Sequence, residues 1–321
     1  MEKDRREIEI SIVVPVYDEE KNIPLLYEKI LKVMNGLNKS YEFIFVDDGS
    51  RDTTTQVLRN LFKADPRINI ITLRRNFGQT AALSAGFDFA RGDIVISMDA
   101  DLQDDPAEIP NFVRKIEEGF DIVAGWRKQR QESFLFRRLP SWVANRLIRL
   151  FSGVKIHDFG CTFRAYRNEV IKNLELSGDL HRFIPAIVSH IGISICEIPI
   201  KRSPRIYGRS NYGLSRILSV LYDIIIMKFF ISYLSKPMRV FGLLGFFSFA
   251  AGFTVALVLT IGYYFFGLSM RQHQGNIIMS VFLMLAGLQF ILSGILAEIS
   301  VRTYRRSAGQ KIYYVREVLS R

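Results

Sequence analysis

Two spacings of apolar residues alternate over the first 130 positions. "EISIVVPVY", "YEFIFVDDG", "INIITLRRN" and "DIVISMDAD" are short β-rich runs that end in polar residues. Near-continuous apolar runs of this length read as strands buried on both faces. Between them, "EKNIPLLYEKILKVMNGL", "DTTTQVLRNLFKAD" and "GQTAALSAGFDFARG" carry the wider apolar spacing of helices. A βαβαβ series of this kind predicts an α/β domain with a mainly parallel sheet and helices on both faces. Ligands of such sheets gather at the carboxyl ends of the strands. The polar residues closing the runs are Tyr17, Asp18 and Glu19, then Asp47 and Asp48, Arg75 and Asn76, and Asp99 and Asp101. All are expected on one rim. A later run, "FDIVAGWR", brings Arg127 to the same edge.

The pattern changes after residue 130. Residues 133 to 151, "SFLFRRLPSWVANRLIRLF", interleave aromatics with arginines, which fits either an amphipathic segment at a lipid interface or a core helix with a basic outer face. Tyr212 to Leu234 is nearly apolar but holds Arg216, Asp223 and Lys228, and reads as an interfacial helix. Val240 to Leu268 is 29 residues without a charge, and Ile277 to Ala297 is a second uncharged run. About 20 apolar residues span a bilayer, so two transmembrane helices are predicted. Lys236 and Arg239 precede the first, and Arg302, Arg305, Arg306, Lys311 and Arg316 follow the second, against a single Arg271 between them. By the positive-inside rule both outer ends are cytoplasmic.

The expected organisation is a cytoplasmic catalytic domain over residues 1–210, juxtamembrane amphipathic helices over 211–235, two transmembrane helices over 236–301, and a cytoplasmic basic tail over 302–321. The expected location is the inner (plasma) membrane, as a multi-pass protein. "MEKDRREIEISIVV" lacks the pattern of a cleaved signal, which keeps the first domain in the cytoplasm. Composition agrees: 49% of the 321 residues are hydrophobic and the mean hydropathy is +0.13, higher than a soluble enzyme needs. A formal charge of +11 suits a protein that lies on an anionic leaflet and handles phosphate. Cys161 and Cys196 show no metal-ligand spacing and fit a reducing compartment.

The chemistry concentrates in "ISMDADLQDDP". Crowded carboxylates raise one another's pKa unless a cation compensates them. Residues two apart on a strand face one side, so Asp99 and Asp101 point together, with Gln103 at the next alternate position. Two carboxylates plus diphosphate oxygens suit Mg²⁺ or Mn²⁺, which keep few protein ligands. In "FVDDGSRDTT", Ser50 or Asp52 is a helix cap, whereas Asp47 or Asp48 is placed to accept from a nucleotide base or ribose. Pro15, Tyr17 and Glu19 would wall that pocket. "RRNFGQTAAL" adds Arg75 and a close backbone approach at Gly78 for a phosphate or sugar.

These motifs, with "VPVYDEEKNI", "HDFGCTFRAYR", "RSPRIYGRSNYG" and the two C-terminal spans, resemble glycosyltransferase family 2. The likeness is to its polyisoprenyl-phosphate glycosyltransferases, among them dolichyl-phosphate mannose synthases and bacterial undecaprenyl-phosphate glucosyltransferases. The resemblance implies the nucleotide-diphosphosugar transferase (GT-A) fold. It implies metal binding by Asp99, Asp101 and Gln103, and nucleotide binding by Pro15, Tyr17, Glu19, Asp47 and Gly78. It also implies an acceptor-phosphate site at Arg127, Arg137 and Ser141. Catalysis is then expected from Asp99 and Asp101, with Asp158 of "HDFGC" orienting a sugar hydroxyl, serving as a base or capping a turn, and His157 structural. Arg202, Arg205 and Arg209 would join Arg127 and Arg137 in holding two anionic substrates, although a juxtamembrane basic loop also suits anionic headgroups.

The expected reaction is inverting transfer of glucose from UDP-glucose to undecaprenyl phosphate, with GDP-mannose and UDP-linked aminoarabinose as alternative donors. A processive polysaccharide synthase would need more membrane helices and a "QxxRW" signature, which is absent. A non-catalytic membrane scaffold is the rival from outside catalysis. Nucleic acid is not an expected partner, because the basic residues lie near the membrane segments. Small residues in "GLLGFFSFAAG" favour close helix packing, and self-association into a homo-oligomer is expected.

Overall fold

The computed structural model describes residues 8–128, 156–172, 192–203, 237–307 and 311–321, together with positions 146, 149, 154, 184 and 185. It divides into two units, residues 1–227 with 311–321, and residues 228–310.

The first unit is built on an eight-stranded sheet. In chain order the elements are β1 (Ile10–Val16), α1 (Asn22–Asn35), β2 (Tyr41–Asp47), α2 (Thr54–Ala64), β3 (Ile68–Leu73), α3 (Gln79–Phe89) and β4 (Ile94–Ser97). They continue with α4 (Ile109–Glu117), β5 (Ile122–Arg127), β6 (Arg164–Arg167), the short α5 (Asn168–Lys172) and β7 (Ile195–Ile200). The last strand is β8 (Val315–Leu319), beyond the second unit in sequence. The strand order is β7-β5-β6-β4-β1-β2-β3-β8. Pairs β1–β2, β1–β4, β2–β3 and β5–β7 are parallel, and β6 and β8 run against their neighbours. Because β5 is antiparallel to β6 and β6 to β4, the ends of β1 to β5 and β7 emerge on one rim. The order reverses between β1 and β4, which opens a crevice there.

Both faces of the sheet are buried. Ile10, Ile12, Val14 and Val16 of β1 pack with Phe43 and Phe45 of β2 and with Ile23, Leu26 and Ile30 of α1. On the other face, Val13, Ile44, Val46 and Ile71 meet Ala81, Ala82, Ala85 and Phe87 of α3. The period-2 alternation of each strand thus feeds two cores, which is why the runs look uniformly apolar in sequence. Tyr27, Tyr41, Phe43 and Phe45 form a ring series with centroids 5.3 to 6.0 Å apart, adding about 0.5–1.5 kcal/mol per pair to burial.

Residues 311–321 depart from the expected basic tail. β8 pairs with β3 from Ile70↔Leu319 to Leu73↔Val315, and so closes the sheet edge. The alternation in "VREVL" is too short, and too basic in its setting, to stand out from a solvated tail. An unpaired β3 edge supplies the hydrogen bonds that decide it.

The second unit is a helical hairpin of α6 (Pro237–Phe266) and α7 (Gln274–Ser307). Val240–Phe266 and Arg271–Ser300 are long and apolar enough to cross a membrane, and only 11% and 17% of their most apolar stretches are buried. Core helices of a soluble domain would be mostly covered; here Phe246, Phe247, Phe265 and Phe266 are exposed, as lipid-facing side chains are. The small residues serve this hairpin. A Cβ on Gly245 would sit 2.6 Å from the Gly287 carbonyl oxygen, and one on Gly252 would sit 2.6 Å from that of Ser280. Ser248 Oγ donates to the Leu283 carbonyl at 2.8 Å. At least part of the "GLLGFFSFAAG" run is therefore used within the chain.

Candidate active site

The loop after β4 gathers carboxylates at the crevice. Asp101 and Asp104 are buried and Asp99 is partly so. Gln79 Nε2, at the start of α3, donates to Asp99 Oδ1 at 2.6 Å, and the Gln103 amide donates to Asp101 Oδ1 at 3.2 Å. Burial first, and the Asp101 charge second, raise Asp99 above the ordinary carboxylate range. Asp104 is pushed up to about 7 by burial and by Asp99, against the pull of Arg127 and Arg202. Its Oδ1 is buried without a hydrogen-bond partner. Crowded hard oxygens of this kind, with the pKa of Asp99 and Asp104 raised, fit a divalent cation. Among the described residues no group of three His, Cys, Asp or Glu side chains is arranged to hold a metal. An ion shared by Asp99 and Asp101 would need further oxygens from a substrate. Gln103 Oε1 faces another partner: it accepts from Arg202 Nε at 3.1 Å and from Nη2 as well. The third oxygen that the sequence assigns to the metal is thus turned to an arginine.

The loops after β1, β2 and β3 interlock beside this cluster. Asp18, with φ +53°, accepts the Arg51 amide at 2.7 Å and gives its own amide to Ser50 Oγ at 3.0 Å. The Glu19 amide donates to Thr54 Oγ1 at 2.9 Å, and the Glu19 carboxylate accepts from Asn22. Asp47 is fully buried and accepts from the Ser50 amide and Thr55 Oγ1. Asp48 accepts from the Phe77 and Gly78 amides at 2.7 and 2.8 Å; burial still raises its pKa. Both aspartates thus organise loops with their near lone pairs. Asp52, not Ser50, serves the start of α2, accepting the Thr54 amide at 2.9 Å.

The loops after β2 and β3 touch at Gly49, and the space beside Gly78 is open. A Cβ on Gly49 would lie 2.6 to 2.9 Å from Arg75 and Asn76 backbone atoms, whereas one on Gly78 would meet nothing within 4 Å. What Gly78 supplies is its φ of +94°, open to glycine at no steric cost. Arg75 lays its guanidinium over the Phe77 ring at 4.5 Å. Pro15 lies on β1 opposite Val46, and Tyr17 follows at its end, both partly buried.

Arg127 ends β5 and is clamped by Asp158, Nε to Oδ2 at 2.7 Å and Nη2 to Oδ1 at 2.9 Å. A bidentate pair with side-chain exposures of 15% and 1% fixes where the guanidinium points. Asp158 also accepts the Gly160 amide at 3.1 Å, so it orients Arg127 and closes a turn. Glu197 of β7 receives the amides of His157 and Asp158 at 3.0 Å, and contacts His157 Nδ1 at 2.8 Å. His157 stacks on Trp126 with centroids 4.5 Å apart. Arg202 follows β7, and the Ser203 amide donates to the Gln103 carbonyl at 2.8 Å, tying that strand end to the acidic loop. Arg137, Ser141, Arg205 and Arg209 lie outside the described residues. Gln79, Asp104 and Glu197 were not singled out from sequence, although Gln79, in "RRNFGQTAAL", and Asp104, in "LQDDP", lie inside motifs that pointed to the site.

A family model described as glycosyl transferase family 2 matches residues 11–175. The chain belongs to this family. As a glycosyltransferase it is similar over nearly its whole length to two curated relatives. It is 39% identical to dodecaprenyl-phosphate galacturonate synthase of Rhizobium johnstonii, over 97% of this chain and 93% of that one. It is 35% identical to undecaprenyl-phosphate 4-deoxy-4-formamido-L-arabinose transferase of Shewanella sediminis, over 97% and 92%. Among solved structures it resembles glucosyl-3-phosphoglycerate synthase from Mycobacterium tuberculosis in complex with Mn²⁺, UDP and phosphoglyceric acid. The TM-score is 0.54 at 20% identity, over 69% of this glycosyltransferase and 78% of that chain. That likeness establishes the GT-A fold expected from the motifs.

Proposed function

We propose that this glycosyltransferase moves a sugar from a nucleotide-diphosphate donor to a polyprenyl phosphate, with inversion at the anomeric carbon. The observation that carries the reading is one rim on which the crowded carboxylates Asp99, Asp101 and Asp104 stand beside Arg127 and Arg202. The polyprenyl-phosphate acceptors in the names of both relatives support it. A lipid phosphate is already an anion near neutral pH, so its oxygen attacks with little help from a base. That suits Asp158, whose carboxylate is committed to Arg127.

The harder problem is repulsion between acceptor phosphate and donor diphosphate, about 4 kcal/mol for unit charges ~4 Å apart at an effective dielectric of 20. Arg127 and Arg202 offset it from the acceptor side, joined in this reading by Arg137, Ser141 and Arg209. A divalent ion, Mg²⁺ or Mn²⁺, held by Asp99 and Asp101 would stabilise the leaving diphosphate. Tyr17, Glu19, Asp48, Arg75 and Gly78 would border the nucleotide, with Asp47 supporting them from beneath.

The hairpin would anchor the enzyme in the plasma membrane with both flanks cytoplasmic. The basic residues flanking the spans in sequence support this. So does the membership of residues 311–321, after the second span, in the same sheet as the N-terminal strands. UDP-glucose, the donor suggested by the motifs, stands beside the galacturonate and formamido-arabinose named in the relatives. Purified protein in nanodiscs with undecaprenyl phosphate and Mn²⁺, offered each of these donors and GDP-mannose, should yield a lipid-linked sugar detectable by mass spectrometry. Absence of a lipid product from every donor would overturn the proposal in favour of a non-catalytic scaffold.

A further inference from the structure

The segment that follows the second membrane-length helix does more than close a sheet edge. α7 ends at Ser307, and by Lys311 the chain is part of the first unit. Tyr313 is 3% exposed and belongs to the core formed by Ile71, Leu73 and α3. Its hydroxyl donates to Asp88 Oδ2 at 2.6 Å, and Lys311 Nζ lies 3.3 Å from the same oxygen. Asp88 is in the last turn of α3. At the other end of that helix, the Tyr314 carbonyl accepts the Arg74 amide at 2.9 Å, and its ring meets Phe77 with centroids 6.0 Å apart. The pairing is irregular between Thr72 and Leu73, with Glu317 and Val315 as successive partners, so Arg316 is an extra residue on β8. Such bulges re-aim side chains next to active sites.

What is gripped in this way is the donor side of the site. Phe77 and Gly78 give their amides to Asp48, and Gln79 gives its side-chain amide to Asp99. We infer that Lys311–Val315 is a positioning element for the donor: Tyr313 and Tyr314 hold α3 and the Arg74–Gly78 loop where Asp48 and Asp99 can use them. This rests on the reading of the rim as a nucleotide-sugar site. It makes donor binding depend on the stretch of chain leaving the second span, without any residue of that stretch touching the reacting atoms.

The test uses the full-length enzyme in nanodiscs and the variant Tyr314→Ala, whose side chain is 67% exposed and so is not needed to fill the core. The donor KM should rise about threefold to tenfold, the size of one lost aromatic contact. The kcat and acceptor KM should stay within about twofold, since the lost contact serves donor binding alone. Hydrogen exchange across residues 74–78 should quicken. Tyr313→Phe, which loses only the bond to Asp88, should shift the donor KM in the same direction. Arg59→Ala removes the ion pair to Glu317 at the far part of the strand and should leave the donor KM unchanged. An unaltered donor KM in Tyr314→Ala, or equal losses in kcat and both KM values with a lower melting temperature, would overturn the inference. If the wild-type enzyme transfers no sugar at all, the proposed function fails instead. Exchange then decides the loop claim, and unchanged protection over residues 74–78 in Tyr314→Ala refutes it.

Discussion

Two buried carboxylates at opposite rims of the sheet, Glu42 and Asp104, are treated in opposite ways. On the amino-end rim, Glu42 is 2% exposed and receives Ser11 Oγ, Asn69 Nδ2, and the backbone amide, Nε and Nη2 of Arg91. On the carboxyl-end rim, Asp104 is 5% exposed with one oxygen unpartnered, and its neighbours Asp99 and Asp101 add charge of the same sign. Burying a charge is tolerable when hydrogen bonds replace its water. Glu42 is complete within the protein and therefore structural. Asp104 keeps one oxygen unmet, and in the proposed function a bound cation would offset the charge of its loop. Polar satisfaction thus separates Glu42 from Asp104 where residue type does not.

Substitutions on either rim can break that distinction. The largest effect is expected for Asp101→Ala, which should lower kcat/KM by about 100-fold or more while the protein stays folded and membrane-bound, since such electrostatic groups are worth 10²–10³ in rate. Near-normal turnover would defeat the metal assignment. Arg127→Ala should follow. It should raise the acceptor KM by about tenfold or more, because a charge-assisted contact to the acceptor phosphate is lost. An effect confined to the donor KM would remove Arg127 from the acceptor site. Glu42→Ala should destabilise the fold by about 1–3 kcal/mol, read by denaturant unfolding, through the donors it leaves unmet. The Arg91 charge itself is nearly half exposed and adds little. Turnover per folded molecule should be unchanged, and lost activity at full folding would dissolve the contrast between the rims. The smallest shift is expected for Asp104→Asn, which relieves repulsion and should raise Tm in metal-free buffer at pH 8 by about 2–4 °C. A lower Tm would show that the Asp104 charge is already compensated.

Much of this was legible in the chain. Each apolar run became a strand at the stated place, and the residues closing the runs reached one rim because parallel strands share a direction. Asp99 and Asp101 were readable because an apolar strand positions them. Asp158 was ambiguous from sequence because its partner Arg127 lies 31 residues away, and nothing local specifies a bidentate pair. Gln103 also has a partner that nothing local specifies. Its strand-like spacing put it with the metal ligands, but Leu102 adopts a φ of +60°, which ends the alternation and leaves the amide to Arg202.

By itself, then, the amino-acid order determined which segments are strands and helices, which polar residues terminate them, and which two helices are apolar enough for a bilayer. Those properties repeat every 2 or 3.6 residues and are written in near neighbours. Only the tertiary structure decided that β8 returns to β3, that the loops after β2 and β3 touch at Gly49, and that Glu42 is satisfied while one Asp104 oxygen is not. These depend on contacts between distant parts of the chain. Local periodicity carries no record of which distant donor meets which acceptor.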